Sequence, residues 1–284
     1  MAFGKMPVKP KKRLGQNFLF DKNIQRKLVA SYSLKPCDYL LEIGAGYGEL
    51  TKLIAQGAAF VYALEIDSEL FKALRDNTKE YSNIEIINED ILKFNLKKCF
   101  VRFKNRINPV KNTLQPNNKI SHGIKVVGNI PYYITTPIIE HLLEYRDKIE
   151  TIFITVQKEF AKRIVANAGS KEYSSFSCFV QYYSIPKIVF CIKRRSFSPV
   201  PKVDSCLLEL KIRQAPAVKV EDEKLFFKVI RGCFNKRRKT LRNSLDGIVS
   251  LQKLDEFFKK YDIDINIRPE DLTLKDFAHL TNIL

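Results

Sequence analysis

From Tyr39 onward, short apolar runs alternate with stretches whose apolar residues recur at helical spacing. LLEIG (40–44), FVYALEI (60–66), IEIIN (84–88), IKVVGN (124–129) and TIFITVQ (151–157) predict strands apolar enough to be buried on both faces. ELTKLIAQ, SELFKALRDN and TPIIEHLLEY lie between strands and carry a helical period, and EFAKRIVA follows the fifth strand. The alternation predicts an α/β fold, a doubly wound parallel sheet. IPKIVFCIK and VDSCLLELKI predict two further strands, joined by RRSFSPVPK, whose prolines mark a turn. RQAPAVKVED breaks the pattern, and beyond it EKLFFKVIRGCF, LQKLDEFFKKY and LKDFAHLTNIL show only helical periodicity. A boundary near residue 215 follows, dividing an α/β domain (1–214) from a small all-helical domain (215–284). Residues 95–120, with seven Lys or Arg, no acid and two prolines, read as a long solvated loop before the fourth strand.

A chain of 284 residues, 45% hydrophobic, is long enough to bury a sizeable core. No run approaches the roughly 18 apolar residues of a membrane span, and MAFGKMPVKPKKRLGQNFLF lacks the apolar stretch of a secretion signal. A cytosolic, monomeric protein with no membrane partner is expected. The six cysteines include no C-x-x-C pair and read as reduced core residues. Three histidines stand apart from one another and from any nucleophile motif, so no metal site is expected.

The net charge of +18 points to a polyanionic partner, and its clustering sharpens this. Lys11, Lys12 and Arg13 sit near the start, Arg194 and Arg195 precede the proline-rich turn, and Arg237, Arg238, Lys239 and Arg242 crowd one segment. These nine residues are the candidate RNA contacts.

LEIGAGYGEL reads as strand, glycine-rich turn and helix. Glu49 stands where the dinucleotide fingerprint needs a third glycine, which argues against an NAD-dependent dehydrogenase. Glu42 and Glu49 beside the turn also disfavour a pyrophosphate and suit a cationic ligand such as S-adenosylmethionine. Gly44 and Gly46 would let backbone approach that ligand. Glu65, at the end of the second of these strands, is placed to accept from ribose hydroxyls, and Asp90, ending the third, to meet the adenine amino group.

At the end of the fourth strand stands Asn129-Ile130-Pro131-Tyr132. Pro131 holds Ile130 extended, so its carbonyl and the Asn129 amide oxygen can face one point. Two acceptors holding both hydrogens of an exocyclic adenine amine would aim its lone pair at a methyl group. Tyr132 would stack on the extruded base and Phe197 would close its other face. Tyr133 reads as a core aromatic. The competing reading makes Asn129 a cap for the helix beginning near Thr136.

RLGQNFL (13–19), EIGAGYG (42–48), NIPYYI (129–134), QKEFAKRI (157–164), FSPVPKVDS (197–205) and FNKRRKTLRNSL (234–245) together resemble the ribosomal RNA small-subunit adenine dimethyltransferase family, the KsgA type. The resemblance implies a Rossmann-like methyltransferase domain with a helical RNA-binding domain. It also implies methyl transfer from S-adenosylmethionine to N6 of two adjacent adenosines near the 3′ end of small-subunit rRNA, on the immature small subunit. It adds Asn17 and Leu19 to the donor pocket, where they join Gly44, Glu65, Asp90 and Asn129. Tyr133 stands where many bacterial members carry a second Asn, and the 95–120 connection is longer than usual for the family. Macrolide-resistance methylases of large-subunit rRNA share the N-terminal half of this pattern, but FSPVPKVDS and KRRKTLRNSL argue against them. A non-catalytic assembly or transcription factor of the same fold would not need Asn129, Glu65 and Asp90.

Overall fold

The computed structural model describes residues 9–107, 123–236 and 239–284. The N-terminal segment forms a two-residue strand, β1 (Phe18–Leu19), and helix α1 (Lys22–Ser31), which starts where the Asp21 carboxylate accepts from the Asn23 and Ile24 amides. The alternation read from Tyr39 onward follows as β2 (Tyr39–Ile43), α2 (Glu49–Ala55), β3 (Phe60–Leu64), α3 (Ser68–Thr78), β4 (Ile84–Ile87) and α4 (Leu96–Ile107). Then come β5 (Ile124–Gly128), α5 (Thr135–Glu144), β6 (Ile149–Gln157), α6 (Lys158–Val165) and α7 (Ser175–Tyr183). β7 (Ser184–Ile192), β8 (Phe197–Ser198) and β9 (Ser205–Ile212) precede the C-terminal helices α8 (Glu223–Asn235), α9 (Leu241–Ser244), α10 (Leu251–Tyr261) and α11 (Leu274–Thr281).

Seven strands form one sheet in the order β4-β3-β2-β5-β6-β9-β7. β2 pairs in parallel with β3 on one side and β5 on the other, and β9 runs antiparallel to β6. Every residue of β3 and β5 is buried, as their unbroken apolar runs require. The one charged side chain inside β5, Lys125, stays buried because its ammonium reaches the Asp38 carboxylate at 2.7 Å and the Ser33 carbonyl at 2.9 Å. That contact ties the starts of β2 and β5 together. β1 and β8 form a separate antiparallel pair, Phe18 opposite Ser198 and Leu19 opposite Phe197.

The chain divides into two compact units, Met1–Lys158 with Ile188–Ile212, and Glu159–Lys187 with Arg213–Leu284. The chain therefore enters the C-terminal unit twice, and α6 and α7 belong with the helices beyond residue 213 rather than with a domain spanning 1–214. The serine at N3 of α7 completes a capping box with Ser174 where glutamate is the usual sign, so the start of this helix is quiet in the sequence.

Three sequence expectations change. Residues 96–107 are helix rather than loop: Leu96, Cys99 and Phe103 recur at helical spacing and are buried, a stripe masked by the surrounding Lys, Arg and Asn. The rest of that segment, 108–120, lies outside the described residues. Cys191 and Cys206 form a disulfide, because β7 and β9 are sheet neighbours, and Cys37 is exposed; Cys99, Cys178 and Cys233 are buried free thiols. Tyr133 is 64% exposed rather than core. Among the described residues no helix is long and apolar enough to cross a membrane.

Candidate active site

Strand order reverses between β2 and β5, whose chain continuations leave the sheet in different directions and open a crevice at the carboxyl ends of the strands. A cavity of about 560 Å³, counted to its open mouth, fills that crevice. Four chain segments line it: Leu14 to Phe18 before and within β1, Gly44 and Gly46 after β2, Glu65, Ile66 and Leu70 after β3, and Asn129 to Tyr132 after β5.

The β2–α2 turn works because its glycines adopt left-handed backbone, Gly44 at φ 74° and Gly46 at φ 59°. This conformation lets the Gly46 amide donate to Glu65 Oε2 at 2.8 Å, while the Asp67 amide donates to Oε1 at 2.8 Å. The Glu65 carboxylate is 4% exposed. Burial raises its pKa, and the backbone donors of Asp67 and Gly46 oppose that by holding the ionised form. Each oxygen keeps acceptor capacity beyond its one backbone donor, so the group can accept from hydroxyls in the cavity.

Asp67, two positions past Glu65, anchors the N-terminal segment. It caps α3 by accepting from the Glu69 amide, and its carboxylate also takes the Lys11 ammonium at 2.8 Å and the Gln16 amide at 3.1 Å. Burial pushes this carboxyl up, but those hydrogen bonds outweigh it and its pKa lies below the ordinary value. Residues 11–16 are thereby fastened across the end of β3, which brings Leu14, Gly15 and Gln16 to the cavity. Periodicity gives no sign of these three, since their anchor lies 51 or more positions away.

Asn129 lines the same cavity as Glu65. Its Nδ2 donates to the Asn17 carbonyl at 3.0 Å, and no described group engages its Oδ1. Helix α5 begins at Thr135 with Ile134 before it and no side-chain cap, so Asn129 is not spent as a helix cap. Ile130 is buried and Pro131 is extended, at φ −60° and ψ 136°. Tyr132 turns inward, its hydroxyl 2.6 Å from Ser205 Oγ; burial raises the phenol pKa, the Ser205 contact opposes it, and the net shift keeps it neutral.

The structure thus brings together Asn17, Gly44, Gly46, Glu65, Asn129, Ile130, Pro131 and Tyr132. Other expected residues stand elsewhere. Phe197 is 1% exposed and Leu19 is buried, both in the hydrophobic core through the β1–β8 pair, so Phe197 offers no open face to a base. Asp90 lies outside the lining, and its Oδ1 accepts from the Leu92 amide, which closes the turn after β4. Glu42 and Glu49, the acids expected to mark a cationic ligand, do not face the cavity. Glu42 is buried in β2, where desolvation, with repulsion from Glu65, pushes its pKa up to about 8, and Glu49 pairs with Lys52 on α2.

The basic residues also sort. Arg13, Arg194, Arg195 and Lys239 are exposed. Lys11 is committed to Asp67 and Glu69, and Arg242 to Asp255. Arg237, Arg238 and the side chain of Lys12 lie outside the described residues. Among the described residues no group of three His, Cys, Asp or Glu side chains is arranged to hold a metal ion.

Comparison with known proteins identifies the family. Residues 8–284 match the family described as ribosomal RNA adenine dimethylase. The ribosomal RNA small subunit methyltransferase A of Streptococcus gordonii is 41% identical over 279 residues, covering 96% of this chain and 91% of that protein. Its namesake from Caldanaerobacter subterraneus subsp. tengcongensis is 40% identical and covers 98% of each. Among solved structures, a dimethyladenosine transferase from Plasmodium falciparum superposes with a TM-score of 0.73 at 25% identity, covering 93% of this chain and 95% of its own. The 23S rRNA methyltransferase ErmE superposes at 0.70 with 26% identity, covering 94% and 99%. With a family match across nearly its whole length, the chain belongs to the ribosomal RNA adenine dimethylases.

Proposed function

We infer that the protein transfers methyl groups from S-adenosylmethionine to N6 of two adjacent adenosines near the 3′ end of small-subunit rRNA. The observation that carries this is Asn129: an amide at the end of β5 whose nitrogen is held by Asn17, leaving its oxygen for a ligand in the cavity. The choice of the small subunit rests on relatives at 40–41% identity that bear that name, against 26% for the large-subunit enzyme ErmE.

The cavity suits this donor. Glu65 offers a buried carboxylate for vicinal hydroxyls, and Ile66, 49% exposed, and Leu70 give an apolar wall for a ring. When bound, the donor supplies an electrophilic methyl carbon on a sulfonium. The protein's part is to prepare the nucleophile. An exocyclic amine on adenine is weakly nucleophilic because its lone pair is delocalised into the ring. With its two hydrogens held by Asn129 Oδ1 and the Ile130 carbonyl, the nitrogen becomes pyramidal and its lone pair points along the line of attack. Tyr132, fixed by Ser205, stacks on the base. No base is needed before attack, because the proton leaves only after the nitrogen has gained its methyl group.

Exposed Arg13, Arg194, Arg195 and Lys239 hold phosphates, with Arg237 and Arg238 beside Lys239 in sequence. The working substrate is the immature small subunit, met in the cytoplasm by a monomer. The test is methyl transfer from labelled S-adenosylmethionine to naked small-subunit rRNA, small subunits and large subunits, with products identified by mass spectrometry. Dimethyladenosine confined to small-subunit rRNA is the expected result; methylation confined to large-subunit rRNA would reject the reading.

A further inference from the structure

We propose that Tyr133 is a stacking platform for the nucleotide next to the adenosine drawn into the cavity, so that the enzyme reads a flanking base as well as its target. This rests on the RNA-methylation reading above.

Two consecutive tyrosines occupy the 3-10 turn Tyr132–Ile134. In such a turn successive side chains diverge by about 120°, so the pair cannot share one direction. Tyr132 goes inward to Ser205. Tyr133 goes outward and is 64% exposed, the most exposed of the large hydrophobic side chains described. A buried aromatic has no face to offer a ligand, whereas this ring lies open to water against Gly15, a residue of the cavity lining, so its face is available for a base to stack on.

The ring is held in place as well as exposed. A Cβ added to Gly15 would lie 3.0 and 3.1 Å from two Tyr133 ring carbons and 3.3 Å from Pro131 Cβ. The ring edge therefore rests against bare Gly15 backbone beside Pro131, and both of those residues line the cavity. Tyr133 thus sits against Gly15 at the edge of the cavity lining, with most of its surface open to water.

A nucleotide that leaves its stack to enter a pocket stays bonded to its neighbours, which must lie at the mouth, and one of them loses a stacking partner. An open ring there replaces it. Exposed Arg13, two positions before Gly15, supplies positive charge for the connecting phosphate. A flexible polar side chain at position 133 could not provide such a surface.

The test compares wild type, Tyr133→Ala and Tyr133→Phe, with small subunits as methyl acceptor and with donor affinity measured separately by calorimetry. The platform predicts that Tyr133→Ala raises KM for the RNA substrate roughly 5- to 100-fold, the range a lost base–aromatic stack gives. Its kcat and donor Kd should stay within about threefold, and Tyr133→Phe should restore KM. An unchanged KM in Tyr133→Ala overturns the proposal. So does a donor Kd that weakens in step with KM, which would make the ring a structural cover for Gly15. Wild type inactive on any RNA would instead sink the underlying functional reading, a result distinct from an active wild type with an indifferent alanine variant.

Discussion

Glu42, within β2, and Glu65, just past the end of the neighbouring β3, are both buried acidic side chains, and the protein treats them in opposite ways. Glu42 lies inside β2, with Ala63 of β3 on one side and Val127 of β5 on the other. Inside a ladder every backbone N–H is already committed to a neighbouring strand, so none is free for a carboxylate. Glu42 Oε2 accordingly has no hydrogen-bond partner, and its pKa rises to about 8. Glu65 stands one residue past β3, where the ladder ends and the chain turns. There the Gly46 and Asp67 amides are free to hold both of its oxygens. The difference shows why parallel sheets present charged groups at their carboxyl ends: only there does the backbone have donors to spare.

The largest effect that would break this comparison is expected at Glu65. In Glu65→Gln one oxygen becomes an NH2 facing a backbone N–H, and an anionic acceptor for the donor is lost. Calorimetric titration with S-adenosylmethionine should show affinity weakened roughly 10- to 100-fold, and stability should drop by about 1–3 kcal/mol. An affinity equal to wild type would remove Glu65 from the donor site.

Glu42→Gln should do the reverse and stabilise the protein by about 1–3 kcal/mol at pH 8. The sign follows from the raised pKa. Between the ordinary value of 4.5 and about 8 the folded protein holds a proton that the unfolded chain has released, so wild-type stability falls as pH rises through that window. Denaturant titrations from pH 5 to 8 should show this decline in wild type and a flatter line in the variant. Identical slopes would mean that Glu42 is not protonated in the fold.

Asp67→Ala removes the cap of α3 and the anchor of residues 11–16 together, and should cost about 1–2 kcal/mol. Because the Asp67 pKa is lowered, its contribution is present above the ordinary value of 3.8 and is lost as pH falls through the folded pKa. Wild type and variant should therefore converge in acid unfolding below pH 4. Smallest of all is Tyr132→Phe, which keeps the ring and loses the Ser205 contact, for about 0.5–1.5 kcal/mol and a turnover within about threefold of wild type.

How far the sequence reaches into this site follows from the same strand-end logic. Gly44, Glu65 and Asn129 could be read because each directly follows an apolar run of period-free strand, so local order alone places them at one sheet edge. Gln16 and Leu14 could not, because their position depends on Asp67, far along the chain, and on a two-residue strand too short to have a period. Phe197 misled for the same reason. Its proline-rich turn looks like an exposed lip, yet pairing with Leu19 draws the ring into the core. Asp90 reads like Glu65, but the turn that follows it claims one of its oxygens, whereas after Glu65 the capping duty falls to Asp67. α4 was hidden by composition, its buried Leu96, Cys99 and Phe103 set among cations and amides.

The strand-end logic is tested hardest at β5, where an amide rather than a carboxylate is presented. The decisive measurement is methyl transfer to small subunits by Asn129→Ala, with donor and RNA affinities determined on the same preparation. Loss of one of two transition-state acceptors should lower kcat by roughly 100- to 1,000-fold while both affinities stay within about threefold of wild type. A variant that turns over at the wild-type rate would contradict the assignment of Asn129 to the reacting nitrogen.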